Sequence, residues 1–60
     1  MTNVNELLQQ GLQAHSQGDL ESAASAYQAA LNLNPDNASA HNNLGFVLSQ
    51  QQQWQEALVH

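Results

Sequence analysis

Small and apolar residues open the chain at Val4, Leu7, Leu8, Gly11 and Leu12, the i, i+3, i+4, i+7, i+8 spacing of one helical face. A first helix is predicted there. Asn3 stands before it and Glu6 three positions on, so the Asn side chain can accept from the first turn while Glu reaches back, as in a capping box. Gly18 ends that helix by taking the left-handed conformation, and Asp19 caps a second one. The second helix turns Leu20, Ala23, Ala24, Tyr27, Ala30 and Leu31 to one side and has Glu21 near its positive end. Pro35 stops it, Asn34 marks the break, and Asp36 or Asn37 caps the third helix. The third helix is expected to face inward through Ala38, His41, Leu44, Gly45 and Leu48, and to run toward the glutamines Gln50 to Gln53. A short fourth helix is expected from Trp54, with Ala57 and Leu58 on its inner side.

Composition agrees with helices and limits what they can do. Ala, Leu, Gln and Glu are good helix formers, and the β-branched residues are only Thr2, Val4, Val47 and Val59. The amide-rich composition alone would also suit a disordered polar tract, but the periodicity decides against that. A chain of 60 residues buries only ~60% of its unfolded surface and supports at most one small domain. Lys and Arg are absent and the formal charge is −5, so nucleic acid and anionic membrane surfaces are both repelled. Without Cys there is no disulfide frame and no thiolate metal site, and no apolar run is long enough to span a membrane. The first ten residues lack the basic region and apolar core of a secretion signal, which makes a cytoplasmic setting the expectation.

Internal repetition organises the helices. Gly11 and Gly45 differ by 45 − 11 = 34, and at the same offset Asn3 meets Asn37, Gln17 meets Gln51, Ala23 meets Ala57, Leu12 meets Phe46 and Leu20 meets Trp54. Gly18-Asp19-Leu20, Ala23, Tyr27, Ala30 and Leu31 through Asp36 resemble the back half of a tetratricopeptide repeat. His41, Leu44-Gly45, Leu48, Trp54 and Ala57 resemble the front half of a following copy. The resemblance implies an all-α chain of antiparallel helix-turn-helix repeats, as in an α-solenoid, with about three full helices plus a truncated fourth. Its units would be 4–37 and 38–60, the second cut short in its second helix. Gln10 and Ala14 depart from the family pattern, as does Gln52 where the preceding turn has Gly18. Gly11 in a helix interior costs about 0.5–1 kcal/mol relative to Ala. Close packing is expected to offset that cost, with Gly11 facing Ala23 and Gly45 facing Ala57.

The family resemblance implies a protein-protein interaction module in which the first helix of each repeat lines a groove for a peptide or a partner helix. Asn5, Gln9, Leu12, Asn42, Asn43 and Phe46 are the expected binding residues, with Leu8, His15, Ser16, Ser39, Ser49 and Gln50 on the same faces. Asn43 occupies a position where many peptide-binding members carry Asn. A carboxamide offers two donors and an acceptor and so pairs with a peptide N–H and C=O together; the plainer reading is that it only keeps an exposed face soluble. The family's clamp for the carboxylate end of chaperones needs Lys or Arg, which this chain lacks. A neutral, apolar or mildly basic peptide is the expected ligand.

Catalysis is not expected. His15, His41 and His60 are the only imidazoles, none is spaced i, i+4 from another, and no HExxH, GxSxG or phosphate-binding loop occurs. No cofactor or metal is implied, and His41 is expected to be a partly buried structural residue. Two alternatives stand beside the groove. One is a structural or self-association element, because Leu44, Phe46, Trp54 and Leu58 would be uncovered. The other is the N-terminal repeat segment of a larger enzyme such as a glycosyltransferase.

Overall fold

A computed structural model describes the backbone of residues 3–59 and the side chains of residues 3–55, and contains three helices. They are α1 (Val4–Ser16), α2 (Leu20–Leu33) and α3 (Ala38–Val59). No strand occurs among the described residues. Each helix start is closed by a short polar side chain. Asn3 Oδ1 accepts from the Glu6 N–H at 2.9 Å, Asp19 Oδ1 from Ser22 at 3.1 Å, and Asn37 Oδ1 from Ala40 at 2.9 Å. The Ser22 hydroxyl and its backbone N–H together hold the exposed Asp19 carboxyl below its ordinary pKa.

The two connections differ in chemistry. Gly18 has φ 77°, and the bonds Gly18 N–H to His15 O and Asp19 N–H to Ala14 O close the end of α1 as a Schellman motif. The second connection is a turn over Asn34 to Asn37, with Pro35 fixing its first dihedral. The Asn34 side chain accepts from Asp36, and His41 Nε2 donates to the Pro35 carbonyl at 2.7 Å. His41 is therefore structural but exposed, where a partly buried position was expected. Its ring reaches back over the turn rather than into the core.

Two adjoining clusters form the interior. One joins Ala23 and Tyr27 of α2 to Val47 of α3, and the other joins Ala30 and Leu31 to Ala40. Leu8 and Leu44 pack against both. The expected faces of α1 and α2 are the observed ones, except that Leu12 is 53% exposed. On α3 the buried positions are Ala40 and Val47 with Leu44 half-buried, whereas Ala38, His41, Gly45 and Leu48 are exposed. Apolar residues lie all round this helix, so periodicity alone admits more than one face.

Two further expectations are corrected. No break separates a fourth helix, because α3 continues through the glutamines to Val59. Nothing in Gln50 to Gln53 takes a left-handed dihedral at low cost as Gly18 does, and Gln is a good helix former. The pairing of Gly45 with Ala57 is thereby excluded, since both lie on one straight helix, and the space beside Gly45 is open. The atoms nearest Gly11 are those of the Tyr27 ring. A Cβ on Gly11 would lie 2.7 Å from Tyr27 Cζ and 2.8 Å from Cδ1, closer than real Cβ contacts come.

Opposite effects are expected from adding the same methyl group at the two helical glycines. Gly11→Ala forces Tyr27 outward and is expected to lower stability by about 1–3 kcal/mol, less the ~0.5–1 kcal/mol gained in helix propensity. Gly45→Ala enters open space and is expected to raise stability by about 0.5–1 kcal/mol. Urea denaturation of both variants checks the pair.

Tyr27 is wholly buried, its hydroxyl has no hydrogen-bond partner among the described residues, and burial raises its pKa above 10.0. A raised folded-state value means stability that is present below the unfolded pKa and lost as pH climbs through the folded one. With no Lys, Arg or Cys, no other side chain titrates in that range. The melting temperature is expected to fall once pH exceeds about 10, in step with tyrosinate absorbance. Tyr27→Phe is expected to remove the fall without lowering stability at neutral pH, because it deletes an unpartnered hydroxyl.

Candidate functional site

The first helix and the first half of the third are the elements expected to line a groove. On α1, Asn5, Gln9, Leu12 and Ser16 follow at intervals of four, three and four residues, which places them on one helical face. Leu8 lies beside that face and is half-buried in both core clusters. On α3, Ser39, Asn42, Asn43, Phe46 and Gln50 share a second face by the same rule. Asn5, Gln9 and Asn42 are exposed, Asn43 is half-buried, and Phe46 is 59% exposed.

One side chain ties the two faces together. The His15 ring lies 5.4 Å from the Phe46 ring, centroid to centroid, at an interplanar angle of 58°. This tilted geometry is one that aromatic quadrupoles favour. His15 Nε2 also meets Gln50 Oε1 at 2.5 Å. An acceptor on the carboxamide requires the proton on Nε2. Phe46 is thus held from one side while its remaining surface faces solvent. His15 and Gln50 lie on the expected faces, but their interlock leaves no mark in the sequence. They are 35 residues apart, and only the crossing of α1 over α3 brings them together.

The side-chain amides differ in their partners. Asn3, Asn34 and Asn37 accept from backbone N–H groups at helix starts and at the turn, and Gln28 bonds Asn32 along α2. Asn5, Gln9, Asn42 and Asn43 make no hydrogen bond among the described residues. No charged side chain belongs to either face as drawn. Among the described residues no three His, Cys, Asp or Glu side chains gather as a metal site would need.

An antiparallel helix pair, followed by a third helix packed on the same pair through small residues, is the architecture of a helical-repeat protein. Residues 11–52 match the family model described as TPR repeat, and the chain belongs to that family. TPR repeats are a non-catalytic fold that mediates protein-protein interaction. No curated protein and no solved structure matches the chain. None of the described helices is long and apolar enough to cross a membrane.

Removing the interlock is expected to loosen α1 from α3. His15→Ala is expected to cost about 1–2 kcal/mol in chemical denaturation, the sum of an aromatic contact and one net hydrogen bond. His15→Phe keeps a ring against Phe46 and is expected to cost less than His15→Ala.

Proposed function

We propose that the chain is a peptide-binding interaction module whose ligand lies across α1 and the first half of α3, against Asn5, Gln9, Leu12, Asn42, Asn43 and Phe46. The observation that carries this reading is the exposed Phe46 ring, braced by His15, on a helix face that also carries Asn42 and Asn43, whose side chains make no hydrogen bond among the described residues. An apolar anchor in a rim of donors and acceptors is how a short peptide is held: apolar contact supplies affinity, and amide pairing fixes its direction. The units of this reading are residues 4–37 and 38–60, the first contributing α1 and the second the first half of α3.

The ligand follows from the side chains. Lys and Arg are absent from the whole chain, so an acidic peptide or a free carboxylate finds no cationic partner. A neutral or mildly basic segment with one or two apolar side chains fits Leu12 and Phe46 and meets a protein of charge −5 without repulsion. The amides make neutral hydrogen bonds, so affinity is expected to depend only weakly on salt.

Selection from a random peptide library on the immobilised chain is the experiment. The enriched peptides are expected to be apolar-anchored and neutral to basic. Asn43→Ala combined with Phe46→Ala is expected to reduce their binding roughly tenfold or more while helical circular dichroism is retained. Enrichment of acidic peptides, or binding indifferent to the double replacement, overturns the assignment.

A further inference from the structure

The amides beside Phe46 are not equivalent in what they can offer a ligand. Asn42 and Asn43 make no hydrogen bond among the described residues, so each can turn either its oxygen or its NH2 group outward. Gln50 cannot. It is half-buried, and its Oε1 is taken by the Nε2–H of His15 at 2.5 Å. The imidazole is itself held against the Phe46 ring. No group among the described residues bonds His15 Nδ1, so none draws the proton to that nitrogen. A second proton on the ring would go to Nδ1 and leave the bond to Gln50 as it is, so the arrangement is the same for the neutral and the charged imidazole.

A carboxamide is planar. With its oxygen turned to the imidazole, the two N–H donors of Gln50 lie on the other side of Cδ, and they make no hydrogen bond among the described residues. Gln50 follows Phe46 by four residues, so the two side chains are neighbours on one helix face, with about 5–6 Å between their Cβ atoms. Residues 38–55 contain no Asp or Glu, so this stretch of α3 offers a cation no carboxylate.

We propose that Gln50 is a specificity-determining residue of the groove, held by His15 as a donor-only group, and that the ligand sets a carbonyl oxygen against it, one helical turn from the apolar side chain packed on Phe46. The inference rests on the groove reading above and narrows its ligand. A backbone carbonyl, or that of an Asn or Gln side chain, completes the Gln50 donors. A Lys, Arg or terminal ammonium at the same place meets donors with donors and leaves both sides unpaired. Basic residues of the ligand therefore lie away from Gln50. Asn42 and Asn43 serve either polarity and cannot tell one chain direction from the other, so direction is read at Gln50. His15 is a positioning residue, acting on the ligand through Gln50.

Two measurements test the assignment. The first needs no ligand: NMR of the imidazole nitrogens is expected to show the neutral His15 ring protonated at Nε2. A proton on Nδ1 would make Nε2 the acceptor, turn the Gln50 amide round and overturn the proposal. The second uses two probes with the same isopentyl anchor: isocaproic acid dimethylamide, which only accepts hydrogen bonds, and isoamylammonium, which only donates them. Both are expected to shift the Phe46 ring signals. Only the dimethylamide is expected to shift the Gln50 side-chain N–H signals, and it is expected to bind roughly tenfold better, against the pull of a chain charge of −5 on the cation. His15→Phe keeps a ring against Phe46 but releases the carboxamide. It is expected to abolish the preference between the probes while helical circular dichroism is retained, whereas loss of a merely structural His15 would weaken both probes alike. Phe46 signals that respond while Gln50 stays silent, or a preference that survives His15→Phe, overturn this proposal and leave the groove standing. Phe46 signals that ignore both probes overturn the groove and this proposal together.

Discussion

The Tyr27 ring rests on the backbone of α1 at Gly11, and the rest of the packing depends on that contact. A ring this close to a helix axis fills the space that side chains of ordinary length would otherwise occupy. It brings α2 near enough to α1 for small residues to complete the seam, and Ala23 lies fully buried beside it. The same ring touches Val47 through the first core cluster, so it also fixes where α3 lies. Gly11 weakens its own helix by about 0.5–1 kcal/mol. Burial of an aromatic side chain contributes more than that, so the exchange favours the packed state even though the phenol hydroxyl inside has no partner among the described residues.

The turns decide how far this packing propagates. At Gly18 a positive φ lets α1 end and α2 return along it, with two backbone hydrogen bonds closing the end. At Pro35 the missing N–H and the fixed φ end α2, and the Asn37 cap starts α3 at once. The third place where a turn would serve the 34-residue register holds Gln52, and there the helix goes straight on. A good helix former has no reason to leave helical dihedrals unless something better is offered. Gln is a good helix former, so local propensity prevails there over the repeat pattern.

What the sequence discloses, and what it withholds, follows from the range of each interaction. Caps and breaks act within four residues, so Asn3, Asp19, Pro35 and Asn37 could be read directly, as could the inner faces of α1 and α2. The inner face of α3 could not. Ala38, Ala40, Leu44, Phe46, Val47 and Leu48 surround that helix, and the choice among them is made by the fit of Ala40 to Ala30 and of Val47 to Tyr27. The glycines divide in the same way. Both have the same type and the same place in a 34-residue pattern, yet one lies under a ring and the other beside open space. In the groove, spacing along each helix puts residues on a common face, but the His15 link to Phe46 and Gln50 exists only once α1 has crossed α3.

A chain with no Lys or Arg can form ion pairs only through histidine or its amino terminus. Its stability therefore rests on burial and on short-range hydrogen bonds at caps and turns, and for about 60 residues those leave a small margin. Apolar surface on Phe46, Leu48 and Trp54 contributes nothing to that margin while it faces water. Whatever covers it binds the folded chain and not the unfolded one, so occupancy adds directly to folding stability, by about 2.7 kcal/mol when the partner is present at a hundred times its Kd. Any partner taken up on these surfaces is therefore linked to folding, and its binding reads out as a gain in stability.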